Sequence, residues 1–517
     1  MDPVVLPSRE DRTLRGGSEG VGGPAGRRIR LPGGWWTPIR VLLVLATGSY
    51  LLGYLLDLPC VSNGWASPDR YQALCYSDIP PLYALRGFAE GLFPYLDSSV
   101  AQEVLEYPVL TGLFMFAAAA LTRASVPLFG DVAAGTVFFH VNVVLLFPFL
   151  LLAVAATAAT VRRRPWDAAM VAVAPGVILA STINWDLVAV GLTAAALLVW
   201  SRRHPTWAGV LLGLAVAAKF YPVVLLGPWL LLCLRAGRLR DFGRLLLGFA
   251  GTWLVVNLPF MLANFDGWAR FYVFSNERGQ DFGSVWYAVS LLGGGSVPKD
   301  LLNEVATGSF LLLCVGIGWL MLGARRRPRL AQGLFLVVAA FALTNKVYSP
   351  QYVLWLIPLA ALARPRWRDF LIWQAGEVVY FLAVWWFLAG YGVDGAKGLT
   401  QQWYAVAVFV HVLATLWFAG MVVRDILRPE HDPVRSDPFP EDDDDPGGGC
   451  LNGAPDVVVL PPARRTPPAP ADPLESGRKL ATPTGRRVAW GAWDVRATGL
   501  CGAPTVPVAP RAGGRFG

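Results

Sequence analysis

The sequence predicts an all-α polytopic membrane protein with about 12 transmembrane helices, in a range of 11–13. Three observations lead there. Of 517 residues, 55% are hydrophobic and 15% charged, and mean hydropathy is +0.47, which is more apolar surface than one soluble core hides. Runs such as VLLVLATGSYLLGYLL at 41–56 approach bilayer length. The formal net charge of +8 sits in short arginine clusters flanking apolar runs. That pattern marks membrane topology and argues against nucleic acid as a partner.

The elements follow in order. Residues 1–37, rich in Gly and Arg, are expected to be a disordered cytoplasmic N-terminal segment. Arg27, Arg28, Arg30 and Arg40 precede the first span, which lacks a small-residue cleavage site and reads as a retained anchor. Further clusters lie at Arg162 to Arg164, Arg202 and Arg203, Arg235 to Arg240, Arg325 to Arg329, and Arg364 to Arg368. Placing each in the cytoplasm predicts spans at 38–57, 168–182, 186–201, 206–219, 221–235, 242–262, 301–323, 329–345, 351–363, 370–390 and 403–424. Both termini then lie inside. Two further runs, about 106–122 and 132–161, have to supply an odd number of crossings to keep Arg162 to Arg164 cytoplasmic, so one is expected to be re-entrant or interfacial. Residues 425–517, with EDDDDPGGG and PPARRTPPAPADP, are expected to be a disordered cytoplasmic tail.

Cys60 and Cys75 fall in the first external loop, 58–105, where an oxidising environment allows a disulfide, with two free thiols as the alternative. Cys233 and Cys314 lie in spans, and Cys450 and Cys501 in a tail expected to be reduced. His140, His204, His411 and His431 are scattered, and no cluster has metal-ligand spacing, so no metal site is expected.

The first external loop concentrates the polar chemistry. From Ile79 to Leu96, apolar residues recur at helical spacing with Arg86 and Glu90 opposite, and Pro80 and Pro81 suit a first turn. The pattern predicts a short helix along the membrane surface, preceded by Asp78 at the water-lipid boundary. Asp78 reads either as that helix's N-cap or as a functional carboxylate.

Ser77-Asp78, Tyr83, Gly91, Tyr95 and Tyr107-Pro108 resemble the first external loop of glycosyltransferase family 87, the actinobacterial α-mannosyltransferase-like group of the GT-C superfamily. AAKFYPVVLLGPWLL and TNKVYSPQYVLWLIPL are also similar to that family, over a domain at 38–424, while Val109 replaces the second proline frequent after Tyr-Pro. The resemblance implies a GT-C-like fold and an external active site. It further implies transfer of a hexose, with mannose favoured, from a polyprenyl-phosphate-sugar to a lipid-linked or cell-envelope glycan acceptor. The acidic residue taken as catalytic base maps onto Asp78, and no cofactor is implied to be obligatory.

That chemistry needs a base for the acceptor hydroxyl and positive charge for the departing phosphate, and a single displacement inverts the anomeric centre. Only five lysines occur, and two recur in similar settings, Lys219-Phe220-Tyr221-Pro222 and Lys346-Val347-Tyr348-Ser349-Pro350. Lys219, Lys346 and Arg278 are the expected donor-phosphate cations, with snorkelling anchors as the plainer reading of the lysines. Tyr83, Arg86, Glu106, Tyr107, Tyr221, Tyr348, Gln351 and Tyr352 are the expected substrate lining. Asn184 and Asp186 begin a span, where helix capping is favoured over a sugar contact. Glu377, within the span at 370–390, supports the alternative of a transporter or lipid flippase. A non-catalytic envelope-assembly protein would have no need of Asp78.

Overall fold

Backbone in hydrocarbon has to satisfy its own N–H and C=O groups, and this chain does so with helices. The computed structural model describes residues 11–21, 34–97, 105–390, 398–436 and 444–461, all within the unit Met1–Ala463; the second unit, Arg464–Gly517, lies outside the described residues. Among the described residues there is no strand. In chain order the principal helices are α1 Pro38–Asn63, α2 Ile79–Leu85, α3 Val109–Leu128, α4 Ala134–Thr160, α5 Asp186–Ser201, α6 Pro205–Ala218, α7 Tyr221–Arg235 and α8 Leu239–Ala263. They continue as α9 Lys299–Gly323, α10 Leu330–Thr344, α11 Pro350–Ala363, α12 Trp367–Gly390 and α13 Gln401–Leu427. Seven of these (α1, α3, α4, α8, α9, α12 and α13) are long and apolar enough to cross a bilayer. The five shorter apolar helices lie between them in the chain, and α5 and α11 have largely buried surfaces.

Local sequence explains the ends. Pro38 starts α1 in a first turn that needs no proline N–H, with the Thr37 hydroxyl accepting from Arg40 N at 3.4 Å. Gly64 closes α1 in the left-handed region at φ 65°. Small residues then set how closely helices pack: a Cβ at Gly209 or Gly213 on α6 would overlap the carbonyls of Leu245 or Phe249 on α8.

The structure departs from the expected spans in four places. The run at 168–182 is no continuous helix but three short pieces, Pro165–Ala168, Ala169–Ala172 and Pro175–Ala180. Ala174 is extended (φ −63°, ψ 132°), as a residue before proline prefers. Such a broken backbone is tolerated here because Ala168, Met170, Val171, Ala172 and Val177 are all buried within the protein. The surface helix expected over Ile79–Leu96 stops at Leu85, because Gly87 and Gly91 adopt φ 71° and 82°.

The third place concerns α3 and α4. Tyr95 Oη donates to Pro108 O at the start of α3, and Arg123 near its end donates to Phe88 O, so both ends of α3 rest on one short stretch of the first loop. By contrast α4 runs from Phe139, packed on Trp65, to Ala159, whose carbonyl accepts from Arg202 at 2.7 Å. Both runs thus form helices long and apolar enough to cross a bilayer, α3 resting along the first loop and α4 connecting the two ends of the bundle.

The last departure is at the chain ends expected to be disordered. Residues Arg12–Val21 form a helix, and Asp11 just before it accepts from Trp367 N at 2.8 Å. Beyond α13, residues 428–436 and 444–461 are packed on the arginine-rich end of the bundle. Asp432 takes a bidentate pair from Arg329 at 2.7 and 2.9 Å, both side chains being buried. Asp456 meets Arg235 at 2.8 Å and Arg327 at 2.9 Å, Asp445 accepts from Leu330 N, and Trp200 Nε1 donates to Gly448 O. Acidic residues that look like a solvated run in sequence are thus counterions for buried arginines. The remainder of the expected tail, 462–517, lies outside the described residues. Cys450, expected to be reduced, is disulfide-bonded.

Candidate active site

The stretch 76–79 is stitched to the start of α5. Asp78 N donates to Ile183 O at 2.9 Å, and Ser77 Oγ donates to Thr182 O at 2.7 Å. This fixes Asp78, which stands at the N-cap position of α2 but makes no side-chain capping hydrogen bond there. Its carboxylate instead accepts from Tyr76 Oη at 2.7 Å on Oδ1 and from Asn184 Nδ2 at 2.9 Å on Oδ2. Asn184 Nδ2 also reaches Tyr107 Oη at 3.0 Å. Burial pushes the Asp78 carboxyl above the usual aspartate range, although Tyr76, Asn184 and the charge of Lys219 pull it the other way.

Beside it lies a second carboxylate with different partners. Asp186 is fully buried, and receives Lys219 Nζ at 3.1 Å and Trp355 Nε1 at 2.6 Å. The Lys219 ammonium also sits 5.7 Å from the centre of the Tyr107 ring. Tyr352 and Tyr221 stack on Trp355 at centroid distances of 3.7 and 4.4 Å. Asn184 and Asp186 therefore do not cap α5, the role the sequence favours; they hold Asp78 and Lys219. Lys219, expected as a donor-phosphate cation or a snorkelling anchor, is engaged by Asp186.

A cationic group lies on neighbouring turns. Asp281 N donates to Lys346 O at 2.8 Å, which ties the segment after Arg278 to the turn at 345–349. Lys346 Nζ donates to Asn276 O at 3.0 Å and to Asn303. Burial, then the charges of Lys299 and Arg278, lowers the Lys346 ammonium from its ordinary value. Arg278 is exposed and pairs with Asp281. Lys299, at the start of α9, is the member of this group that the sequence reading left without a role.

The other expected lining residues divide. Arg86 and Glu106 form a bidentate pair at 2.8 and 2.6 Å, a brace within the loop beside Tyr107. Tyr83 is buried against Phe138, 5.0 Å between ring centres, and is a packing residue. Tyr348 is also buried, its hydroxyl 3.3 Å from Glu377, so it faces the helix core instead of a substrate. Gln351 is buried, whereas Tyr352 and Tyr107 remain partly accessible. Cys60 and Cys75 are joined in a disulfide with Cα atoms 5.8 Å apart, which braces the approach to Tyr76.

Residue reasoning passed over Tyr76, Trp355 and the role of Asn184. The only signal for Asn184 was a polar pair, Asn184 and Asp186, opening an otherwise apolar segment. Among the described residues, no three His, Cys, Asp or Glu side chains converge as metal ligands do.

The family model described as glycosyltransferase family 87 matches residues 106–344, a stretch that holds Tyr107, Asn184, Asp186, Lys219 and Arg278 and leaves Asp78 and Lys346 outside. No curated protein sequence matches the chain. Among solved structures, the crystal structure of ArnT from Cupriavidus metallidurans bound to undecaprenyl phosphate is similar at 17% identity, covering 75% of this chain and 77% of that one, with a TM-score of 0.39.

Proposed function

We propose that this chain, whose residues 106–344 match the model of glycosyltransferase family 87, is a membrane glycosyltransferase that moves a hexose, mannose first among them, from a polyprenyl-phosphate-sugar to a lipid-linked or cell-envelope glycan. Asp78 is the base. The observation that carries the reading is its environment: both carboxylate oxygens accept from neutral donors, Tyr76 and Asn184, and among the described residues no cation pairs with it. A carboxylate oriented by neutral donors and raised by burial keeps more basicity than one neutralised by an arginine.

In the proposed reaction the acceptor hydroxyl lies against Asp78 and attacks the anomeric carbon as Asp78 takes its proton, with inversion of that centre. The bond to the phosphate oxygen breaks, and the freed prenyl phosphate is received by Lys346 and Arg278. Lys219, held by Asp186, supplies a fixed positive charge beside Asp78 rather than a ligand for the phosphate. No cofactor or metal is assigned. The site faces outward and both termini inward, a placement resting on the arginines gathered at the opposite end of the bundle.

The transporter reading draws on Glu377, whose carboxylate is taken up by Tyr348, Trp373 and Thr415 with His411 3.6 Å away. The deciding experiment is transfer from radiolabelled polyprenyl-phospho-mannose by the full chain in membranes. Asp78→Asn is expected to abolish transfer with the protein still folded; transfer surviving in Asp78→Asn would overturn the proposal.

A further inference from the structure

The two turns that carry Arg278 and Lys346 rest on one buried polar cluster between α12 and α13. Glu377 Oε1 accepts from Trp373 Nε1 at 3.0 Å, Thr415 Oγ1 at 3.0 Å and Tyr348 Oη at 3.3 Å. Its other oxygen lies 3.6 Å from His411 Nδ1, and His411 Nε2 is 3.3 Å from Gly283 O. His411 is fully buried, stacked on Tyr380 at 4.2 Å. Tyr380 Oη in turn donates to Tyr348 O at 3.0 Å, and Tyr404 Oη donates to Phe282 O at 2.7 Å.

Each turn is thus held from beneath by side chains of the cluster, and the two are joined to one another by Asp281 N and Lys346 O. The fit is close: a Cβ at Gly283 would overlap both the Tyr348 carbonyl oxygen and the Tyr380 hydroxyl. Glu377 touches the Tyr348 turn, His411 touches the Gly283 turn, and the two lie side by side. None of these contacts reaches Asp78, so the cluster acts on the cations and not on the base.

We infer that Glu377 and His411 are positioning residues, a buried strut that sets the place of Arg278 and Lys346 and thereby the recognition of a prenyl phosphate. The inference rests on the functional reading above and adds to it the residues that build the phosphate end of the site. Accepting three hydrogen bonds needs only an oxygen, so a glutamine retains the function and an alanine does not.

The test is binding of polyprenyl monophosphate, without a sugar, to the full chain in nanodiscs. Glu377→Ala and His411→Phe, the second keeping an aromatic ring against Tyr380, are each expected to weaken binding about tenfold, the scale for loss of one buried hydrogen-bond partner. Glu377→Gln is expected to restore it to within about threefold, since its amide oxygen still accepts. If Glu377→Ala fails to fold, His411→Phe decides. Binding weakened by Lys346→Ala but untouched in Glu377→Ala and His411→Phe overturns the strut alone. Absence of any binding to the unaltered protein overturns the functional reading beneath it.

Discussion

Asn184 donates from Nδ2 to Oδ2 of Asp78 across 2.9 Å, joining positions 106 residues apart in the chain. The same nitrogen stands 3.0 Å from Tyr107 Oη, so one amide orients the candidate base and the tyrosine that flanks it. Its own oxygen accepts from Trp185 N at 2.6 Å, which assigns the two ends of the amide.

Asn184→Ala is expected to lower kcat about tenfold, with donor KM within about twofold, because it removes one buried donor from the carboxylate and leaves the cationic turns alone. Steady-state transfer assays at several donor concentrations check this. A change in KM alone would place Asn184 in substrate binding instead.

The raised pKa of Asp78 has two consequences for pH. Transfer needs the carboxylate, so its acid limb is expected above the usual aspartate range, and a kcat/KM profile between pH ~4 and ~8 reads it. For stability the sign is opposite. The unfolded chain ionises Asp78 at lower pH than the folded one, so the folded state binds more protons between the two values. Stability is then lost as pH rises through that window. Thermal unfolding of Asp78→Asn in parallel with the unaltered protein is expected to lack that loss.

Asp432→Asn tests the packed C-terminal segment. Removing the charge leaves Arg329 buried without its bidentate partner, which is expected to cost about 3 kcal/mol. Burial raises the Asp432 carboxyl, but the Arg329 charge and hydrogen bonds outweigh it, and the net value is lowered. The pair's contribution is accordingly present above the ordinary aspartate pKa and lost as pH falls through the lowered one. Thermal melts in detergent measure both effects. A truncation before residue 428 is expected to lose the same stability, and an unchanged melt would show the segment to be dispensable.

Gly209→Val is expected to destabilise by about 2 kcal/mol or more, since its branched side chain meets the Leu245 carbonyl and forces α6 from α8. Gly227→Ala, where a Cβ meets nothing, is the matched control. Equal melting temperatures for the two would contradict the close approach.

From Asp186 to Leu427 the apolar helices are legible in the sequence, whereas the helix Phe265–Glu277 between two of them is not. The expected 221–235 and 301–323 match α7, Tyr221–Arg235, and α9, Lys299–Gly323, to within two residues. Those elements depend on local apolar runs, prolines and flanking arginines. The run at 168–182 misled because its apolar composition is right and only Pro175, with the extended Ala174 before it, interrupts the helix. The acidic tail misled for a complementary reason: Asp432 and Asp456 are solvated in a sequence reading, and become ordered only once Arg329 and Arg235 are presented to them.

By itself the sequence determined that the chain is helical and membrane-bound, which end gathers its arginines, and that Asp78 stands in a polar loop apart from the lipid-facing runs. These are properties of composition and short-range spacing. Only the tertiary structure decided that Lys219 pairs with Asp186, that Asn184 holds Asp78, and that Tyr348 turns inward to Glu377. A buried polar group takes whichever partner packing brings within hydrogen-bond reach, and here those partners lie from 29 to 106 residues away along the chain.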